Sequence, residues 1–267
     1  MFMRVIDWSD FIGEGKISGY PEQTAMTIGV FDGVHRGHRS LMEKIVRQGP
    51  NPTAVTFRQS PKQVINPGLA GGTILSLSQK LSIFEGLGIF QTILIDFSEN
   101  FSRLKGQEFI DLLITRGNLT YLVIGSNFRC GYRLDTDAAR IKRCIEARGI
   151  KTEVVSPVLD GAYPVSSSRI RQAITEGDLA RARSALGRNV AIDLGGMAAE
   201  QGEAGLIFNI AAQGRVVPPD GRYAVVVYGI NREREKTEIR IKQGKICIPS
   251  HFNAVRGIEF LCGSQGE

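Results

Sequence analysis

Five apolar runs of strand length, at 26–31, 53–57, 92–97, 121–124 and 152–155, alternate with stretches of helical periodicity near 38–48, 78–87, 106–116 and 137–148. Strands and helices alternating at this length predict an α/β unit with a doubly wound parallel sheet. Ligands of such sheets bind beyond the carboxyl ends of the strands. The segment before Met26 reads as a short leading stretch, with Trp8 and Phe11 as core anchors.

The turn after the first run is the most informative. Thr27–His38 reads TIGVFDGVHRGH, and Asp32-Gly33 breaks the apolar run where a helix must begin, near Val34. His35 and His38, three residues apart, then share the first turn of that helix, where backbone N–H groups have no internal partner. The helix dipole, two imidazoles and Gly37 between them make an anion site into which a phosphate can approach the backbone. One histidine at a helix start is an ordinary polar residue, but two of the chain's three histidines fall in this one pattern. Neither a P-loop nor a Gly-x-Gly-x-x-Gly fingerprint occurs at this turn. The pattern resembles the HxGH signature of the nucleotidyltransferase superfamily. Its longer form, Gly29-x-Phe31-Asp32-Gly33-Val34-His35-x-Gly37-His38, resembles the flavin branch, the bacterial bifunctional riboflavin kinase/FMN adenylyltransferases (FAD synthetases).

With 267 residues the chain is long enough for one large or two smaller cores. Arg4, Asp7, Asp10 and Glu14 interrupt any leader-like apolar stretch, and no run approaches a membrane span, so a cytoplasmic protein with no membrane association is expected. Cys130, Cys144, Cys247 and Cys262 have no metal-site spacing and read as reduced thiols. Of the net charge of +6, residues 188–267 hold ten Lys/Arg against nine Asp/Glu, which leaves most of the excess on 1–187. Bases interleave with acids, which favours a small polyanion over nucleic acid as the partner.

Two further stretches extend the resemblance. Ile124–Asp137, IGSNFRCGYRLDTD, is by itself a Gly-containing strand-to-helix loop with Asp137 as helix cap. It resembles the flavin-binding loop of the FAD synthetases at Gly125, Asn127, Phe128, Gly131 and Asp137, with Cys130 where the family has Phe and Thr136 where it has Gly. Pro164–Arg171, PVSSSRIR, offers more hydroxyls than a cap needs, and Arg171 lies one turn into the following helix. It resembles the superfamily's triphosphate-gripping Ser-Ser-Thr/Ser-x-x-Arg motif, carried by Ser166, Ser167, Ser168 and Arg171. Asp178 then caps a second helix that ends at Gly187.

Other parts depart from the family. Residues 55–61 read Val-Thr-Phe-Arg-Gln-Ser-Pro where it has Val-Thr-Phe-Asp/Glu-Pro-His-Pro, so Ser60 replaces an active-site histidine. From Arg188 the texture changes to short β runs, 204–211, 223–228, 237–241, 246–248 and 257–261, predicting a smaller antiparallel β domain over 188–267 behind a nucleotidyltransferase domain over 1–187. Its place resembles the riboflavin kinase module, but Asn209-Ile210-Ala211-Ala212 stands for the Pro-Thr-Ala-Asn signature, and the strands run out at Leu261 ahead of the module's C-terminal helix.

The resemblance implies adenylyl transfer from ATP to FMN, giving FAD, without riboflavin kinase activity. It implies His35, His38 and Arg171 as catalytic, Gly29, Phe31, Gly33, His35, His38, Ser166, Ser167, Ser168 and Arg171 as ATP-binding, and Asn127, Phe128, Arg129 and Asp137 as flavin-binding. Mg²⁺ is implied on the phosphates, with no dedicated protein cage. The alternatives are another HxGH adenylyltransferase, for pantetheine phosphate or a nicotinate nucleotide, and a non-catalytic relative that binds flavin or RNA.

Overall fold

The computed structural model describes residues 3–15, 17–65, 71–230, 233–252 and 254–262. The chain divides into two compact units, Met1–Pro67 with Lys80–Leu159, and Gly68–Gln79 with Asp160–Glu267. This division by compactness is drawn at other residues than 187/188, the functional division expected from sequence.

In chain order the first part runs β1 (Arg4–Asp7), α1 (Trp8–Ile12), β2 (Thr24–Ile28), α2 (Arg36–Gln48), β3 (Pro52–Phe57), α3 (Pro61–Ile65), α4 (Leu77–Gly86), β4 (Gln91–Ile95), α5 (Glu99–Arg103), α6 (Gly106–Thr115) and β5 (Leu119–Gly125). A two-residue ribbon follows, β6 (Arg129–Cys130) against β7 (Thr136–Asp137), then α7 (Ala138–Glu146) and β8 (Lys151–Val155). Six strands form one parallel sheet in the order β1-β4-β3-β2-β5-β8. Every residue of β2 and β4 is buried, as strands covered on both faces must be. The strand absent from the sequence reading is β1, which pairs Arg4–Asp7 with Gln91–Leu94. Only Val5 and Ile6 are apolar there, too little for a pattern, and the edge of an existing sheet supplies the rest. Trp8 and Phe11, both buried, join the core with Phe109, Leu113, Ile93 and Leu122.

Sheet order positions the site. From β2 the chain winds outward through β3 and β4, then returns to place β5 on the other side of β2. That reversal is the topological switch point, where a crevice opens beyond the carboxyl ends of the two neighbouring strands. The HxGH turn leaves β2 there, and the loop beginning at Gly125 leaves β5 beside it, with Thr27 paired to Val123.

After β9 (Leu159–Asp160), within which the unit boundary falls, the second unit contains β10 (Tyr163–Pro164), α8 (Ser167–Thr175) and α9 (Leu179–Leu186). A seven-stranded sheet follows, β11 (Ala191–Asp193), β12 (Glu200–Gly202), β13 (Gly205–Asn209), β14 (Gly221–Gly229), β15 (Arg234–Lys242), β16 (Lys245–Pro249) and β17 (Val255–Phe260), in the order β11-β17-β14-β15-β16-β13-β12. All its described pairs are antiparallel. Alternation puts Val225, Val227, Ile239, Ile241, Ile246 and Ile248 inside, with Phe208 on β13 and Ile258 and Phe260 on β17, which is why five of the strands were readable in sequence. The two missed, β11 and β12, are three residues each. All four cysteines are free thiols.

Candidate functional site

The turn from β2 to α2 is built from unusual backbone. Phe31, Gly33 and Val34 have φ of 52°, 86° and 39°, and only one of them is glycine. Gly29 is required because a Cβ there would meet the Phe31 ring at 2.8 Å. Helix α2 starts at Arg36 rather than near Val34, so His35 is its N-cap. The buried His35 ring accepts the His38 backbone N–H at Nδ1, 3.3 Å away. An accepting nitrogen carries no proton, so the ring hydrogen of neutral His35 sits on Nε2. The two imidazoles stack with centroids 3.6 Å apart and 19° between planes. A Cβ on Gly37 would lie 3.3 Å from the His35 ring, so a side chain there would crowd this pair. Phe31 meets His38 edge-on at 5.2 Å and Phe84 at 5.7 Å, which ties the turn to α4. Asp32 is buried in the same turn.

A residue with no part in the sequence reading stands under this turn. Lys80 of α4 is buried, with its Nζ 2.8 Å from the Phe57 carbonyl, 3.3 Å from the Val30 carbonyl and 3.4 Å from Thr56 Oγ1. Burial pulls its pKa down from 10.5 to about 8, opposed by the negative charge of Asp32. A lysine four residues before the buried Phe84, on the core side of a helix, was the available signal.

Beyond β5, Phe128 packs against the core while Asn127 and Arg129 are exposed. Asp135 fastens the loop through Oδ1, which accepts the Gly106 N–H at 3.1 Å and the Thr136 hydroxyl at 2.9 Å. Thr136 is buried and fits because residue 106 is glycine: a Cβ at 106 would fall 2.4 Å from Thr136 Oγ1. Cys130 packs as a small apolar side chain, and burial, then Asp135, push its thiol up to about 12. Asp137 caps α7 by accepting the Arg140 N–H at 2.9 Å. Of the sequence-predicted flavin residues, Asn127, Phe128 and Arg129 thus follow the β5 end directly, and Asp137 has a helix cap as its observed job.

In the second unit Ser166 is the N-cap of α8, accepting the Arg169 N–H at 3.4 Å, and Ser167 and Ser168 occupy the first turn. Arg171 Nε donates to the Gly72 carbonyl at 2.8 Å. Ser60 directly precedes α3, in the place of the family histidine. Among the described residues no group of three or more His, Cys, Asp and Glu is arranged to hold a metal ion.

A doubly wound parallel sheet with a histidine-capped helix start at its switch point defines the class. Comparison with known proteins gives the family. The FAD synthetase family profile matches residues 17–169. The bifunctional riboflavin kinase/FMN adenylyltransferase of Escherichia coli K12 is 30% identical over 232 residues, covering 83% of this chain and 74% of that protein. The same-named protein of Pseudomonas fluorescens is 30% identical over 168 residues, 61% of this chain and 53% of that one. In fold, a crystal structure of a macrolide-efflux protein from Streptococcus pneumoniae superposes with a TM-score of 0.80 at 21% identity, over 99% of this chain and 94% of that one. The chain belongs to the FAD synthetase family. No helix among the described residues is long and apolar enough to cross a membrane.

Proposed function

We propose that this chain is an FMN adenylyltransferase: a phosphate oxygen of FMN attacks the α-phosphorus of ATP, the bond to the β-phosphate bridging oxygen breaks, and FAD and pyrophosphate form. The observation that carries this reading is the adjacency of β2 and β5, whose carboxyl ends bear the His35/His38 turn and the Asn127 loop in a chain of this family.

The attacking phosphate monoester has its second pKa near 6 and is largely dianionic at neutral pH, so no general base is needed. Rate enhancement then falls to in-line positioning and to preorganised donors on oxygens that gain charge. His35 Nε2 and the His38 ring are such donors, held rigid by stacking and by the cap. Gly29, Phe31 and Gly33 shape the backbone that the nucleotide approaches. Ser166, Ser167, Ser168 and Arg171, with the first amides of α8, would hold the β- and γ-phosphates, and Asn127, Phe128 and Arg129 the flavin, with Asp137 ending the loop. An Mg²⁺ ion would arrive on the triphosphate and neutralise part of its charge; the described residues supply no cluster for it. The reaction would run in the cytoplasm.

The segment 188–267 is proposed to lack riboflavin kinase activity. Phosphorylating a neutral ribityl hydroxyl calls for an activating base and a phosphate grip. Asn209, in the place of the kinase signature, turns its Oδ1 to the Ala212 N–H at 3.1 Å and closes a local turn. The test is to incubate the purified chain with ATP and Mg²⁺, adding FMN in one reaction and riboflavin in another. FAD and pyrophosphate are expected from FMN, and no FMN from riboflavin. Failure to form FAD would overturn the first reading, and sustained FMN production the second.

A further inference from the structure

An apolar side chain would fill the place of Lys80 at no desolvation cost, so the buried ammonium calls for a reason. Its three N–H donors face three oxygens, the carbonyls of Phe57 and Val30 and the hydroxyl of Thr56, and that hydroxyl itself donates to the Val30 carbonyl at 3.1 Å. These oxygens lie at the carboxyl ends of β2 and β3, where outward-pointing carbonyl dipoles would repel an incoming phosphate. Val30 is the residue before the left-handed Phe31, and Phe84, one turn on from Lys80, packs on Phe31. Helix α4 therefore supports the turn by a polar and an apolar contact at once.

We propose that Lys80 is a positioning residue for adenylyl transfer, which locks the strand ends carrying the His35/His38 turn and keeps one buried positive charge behind the phosphate-binding backbone. This rests on the reading of the site as an FMN adenylyltransferase. The charged side chain that acts on Lys80 is Asp32. From β3 it is faced by the Thr56 hydroxyl and the Phe57 carbonyl, and from the end of β2 by the Val30 carbonyl. With the ammonium pulled down to about 8, the charge drains away in mildly alkaline solution, and a bound polyanion would hold the proton on.

ATP binding to the full chain is to be titrated between about pH 7.5 and pH 9.5, above the ordinary histidine range. Wild-type affinity should fall about tenfold across this window, as expected when a group titrating near 8 in the free protein is held about one unit higher by the bound polyanion. Lys80→Met should bind about tenfold more weakly at the lower pH and show no further fall, because the titrating charge is gone. A wild-type profile that stays flat, or the same fall in Lys80→Met, would overturn the proposal. Should Lys80→Met fail to fold, Lys80→Arg takes its place: a permanent cation should remove the alkaline fall, and an arginine variant that falls with the wild type overturns the idea equally. FAD formation is measured alongside. A Lys80-dependent profile without FAD formation would sink the reaction and leave Lys80 standing only as a positioning residue for ATP binding, and FAD formation with a flat profile would leave the reaction and sink the role of Lys80.

Discussion

His35 caps α2 and, in the proposed reaction, donates from Nε2, and two substitutions can separate these roles. In His35→Ala the helix cap is lost; the bond is 3.3 Å long, so its worth is taken as about 1 kcal/mol, within the usual range for N-caps. Truncating a buried ring that stacks on His38 at 3.6 Å adds a further loss of about 1 kcal/mol. The total, about 2 kcal/mol, corresponds to a fall in Tm of about 4–8 °C for a domain of this size. His35→Asn restores a good cap and should recover roughly half of that. Neither variant keeps the Nε2–H donor, so both should lose about 10²–10³ in FAD formation, the cost of one preorganised transition-state donor. His38→Ala should lose a similar factor with a smaller Tm change, because its backbone N–H still meets the His35 cap. Thermal unfolding and initial rates of FAD formation, measured on the same preparations, decide the matter. Near-normal turnover in His35→Asn would remove the imidazole from the mechanism, and an unchanged Tm in His35→Ala would refute the cap.

Arg171→Ala should weaken ATP by about 10-fold or more while FMN affinity is little changed, since one charge-assisted hydrogen bond is lost; Arg171→Lys should rescue poorly, because Nε also holds the Gly72 carbonyl. Equal weakening of FMN would assign Arg171 to the wrong ligand. Gly106→Ala drives a Cβ to 2.4 Å from Thr136 Oγ1 and 2.9 Å from Asp135 Oδ1, so it should cost about 1–3 kcal/mol and raise KM for FMN more than for ATP; a variant with unaltered KM for FMN would detach the loop from flavin binding. Lys80 has its folded pKa lowered, so between about 8 and 10.5 the unfolded chain binds the extra proton and folding gains stability as pH rises, by up to about 3 kcal/mol. Denaturant titrations of wild type and Lys80→Met should therefore show wild type gaining on the variant over that window, with a constant difference counting against a titrating Lys80.

How much of this was legible in sequence depends on how local each signal is. The strands β2, β3, β4, β5 and β8, the caps Asp137 and Asp178, and a serine cap within 166–168 were readable, because a buried run or a capping oxygen acts within a few residues. The exact helix start was not: His35 rather than Val34 bounds α2, because Val34 is held in left-handed backbone by contacts that sequence spacing does not encode. Strand β1 needed a partner edge from residues 91–94 to exist at all. Lys80 has little local signal because lysine at a helix position is usually solvated, and its reason for burial lies in Val30 just past β2 and Phe57 of β3, both distant in sequence. The departures from the family at Cys130 and Thr136 carry no packing account in sequence, whereas the fold shows one packed as a small apolar residue and the other balanced by Gly106.

The left-handed turn explains why a chain would keep so many unfavourable choices in one place. Phe31 and Val34 at positive φ each cost on the order of 1 kcal/mol or more, and a buried ammonium adds desolvation. Relaxing the turn would swing His35 away from the start of α2, and the helix would lose its cap along with the stacked imidazole. The surroundings prevent this: Val34 N–H is bonded to the Phe31 carbonyl at 3.3 Å, the Phe31 ring is wedged between Gly29, His38 and Phe84, and the Val30 carbonyl is gripped by Lys80 and Thr56. Each contact fixes a different atom of the same few residues, so the turn is over-determined and the imidazoles keep one orientation before any ligand arrives. Donors fixed in advance need no reorganisation when charge develops on a phosphate oxygen, which is the condition under which such groups accelerate a reaction most.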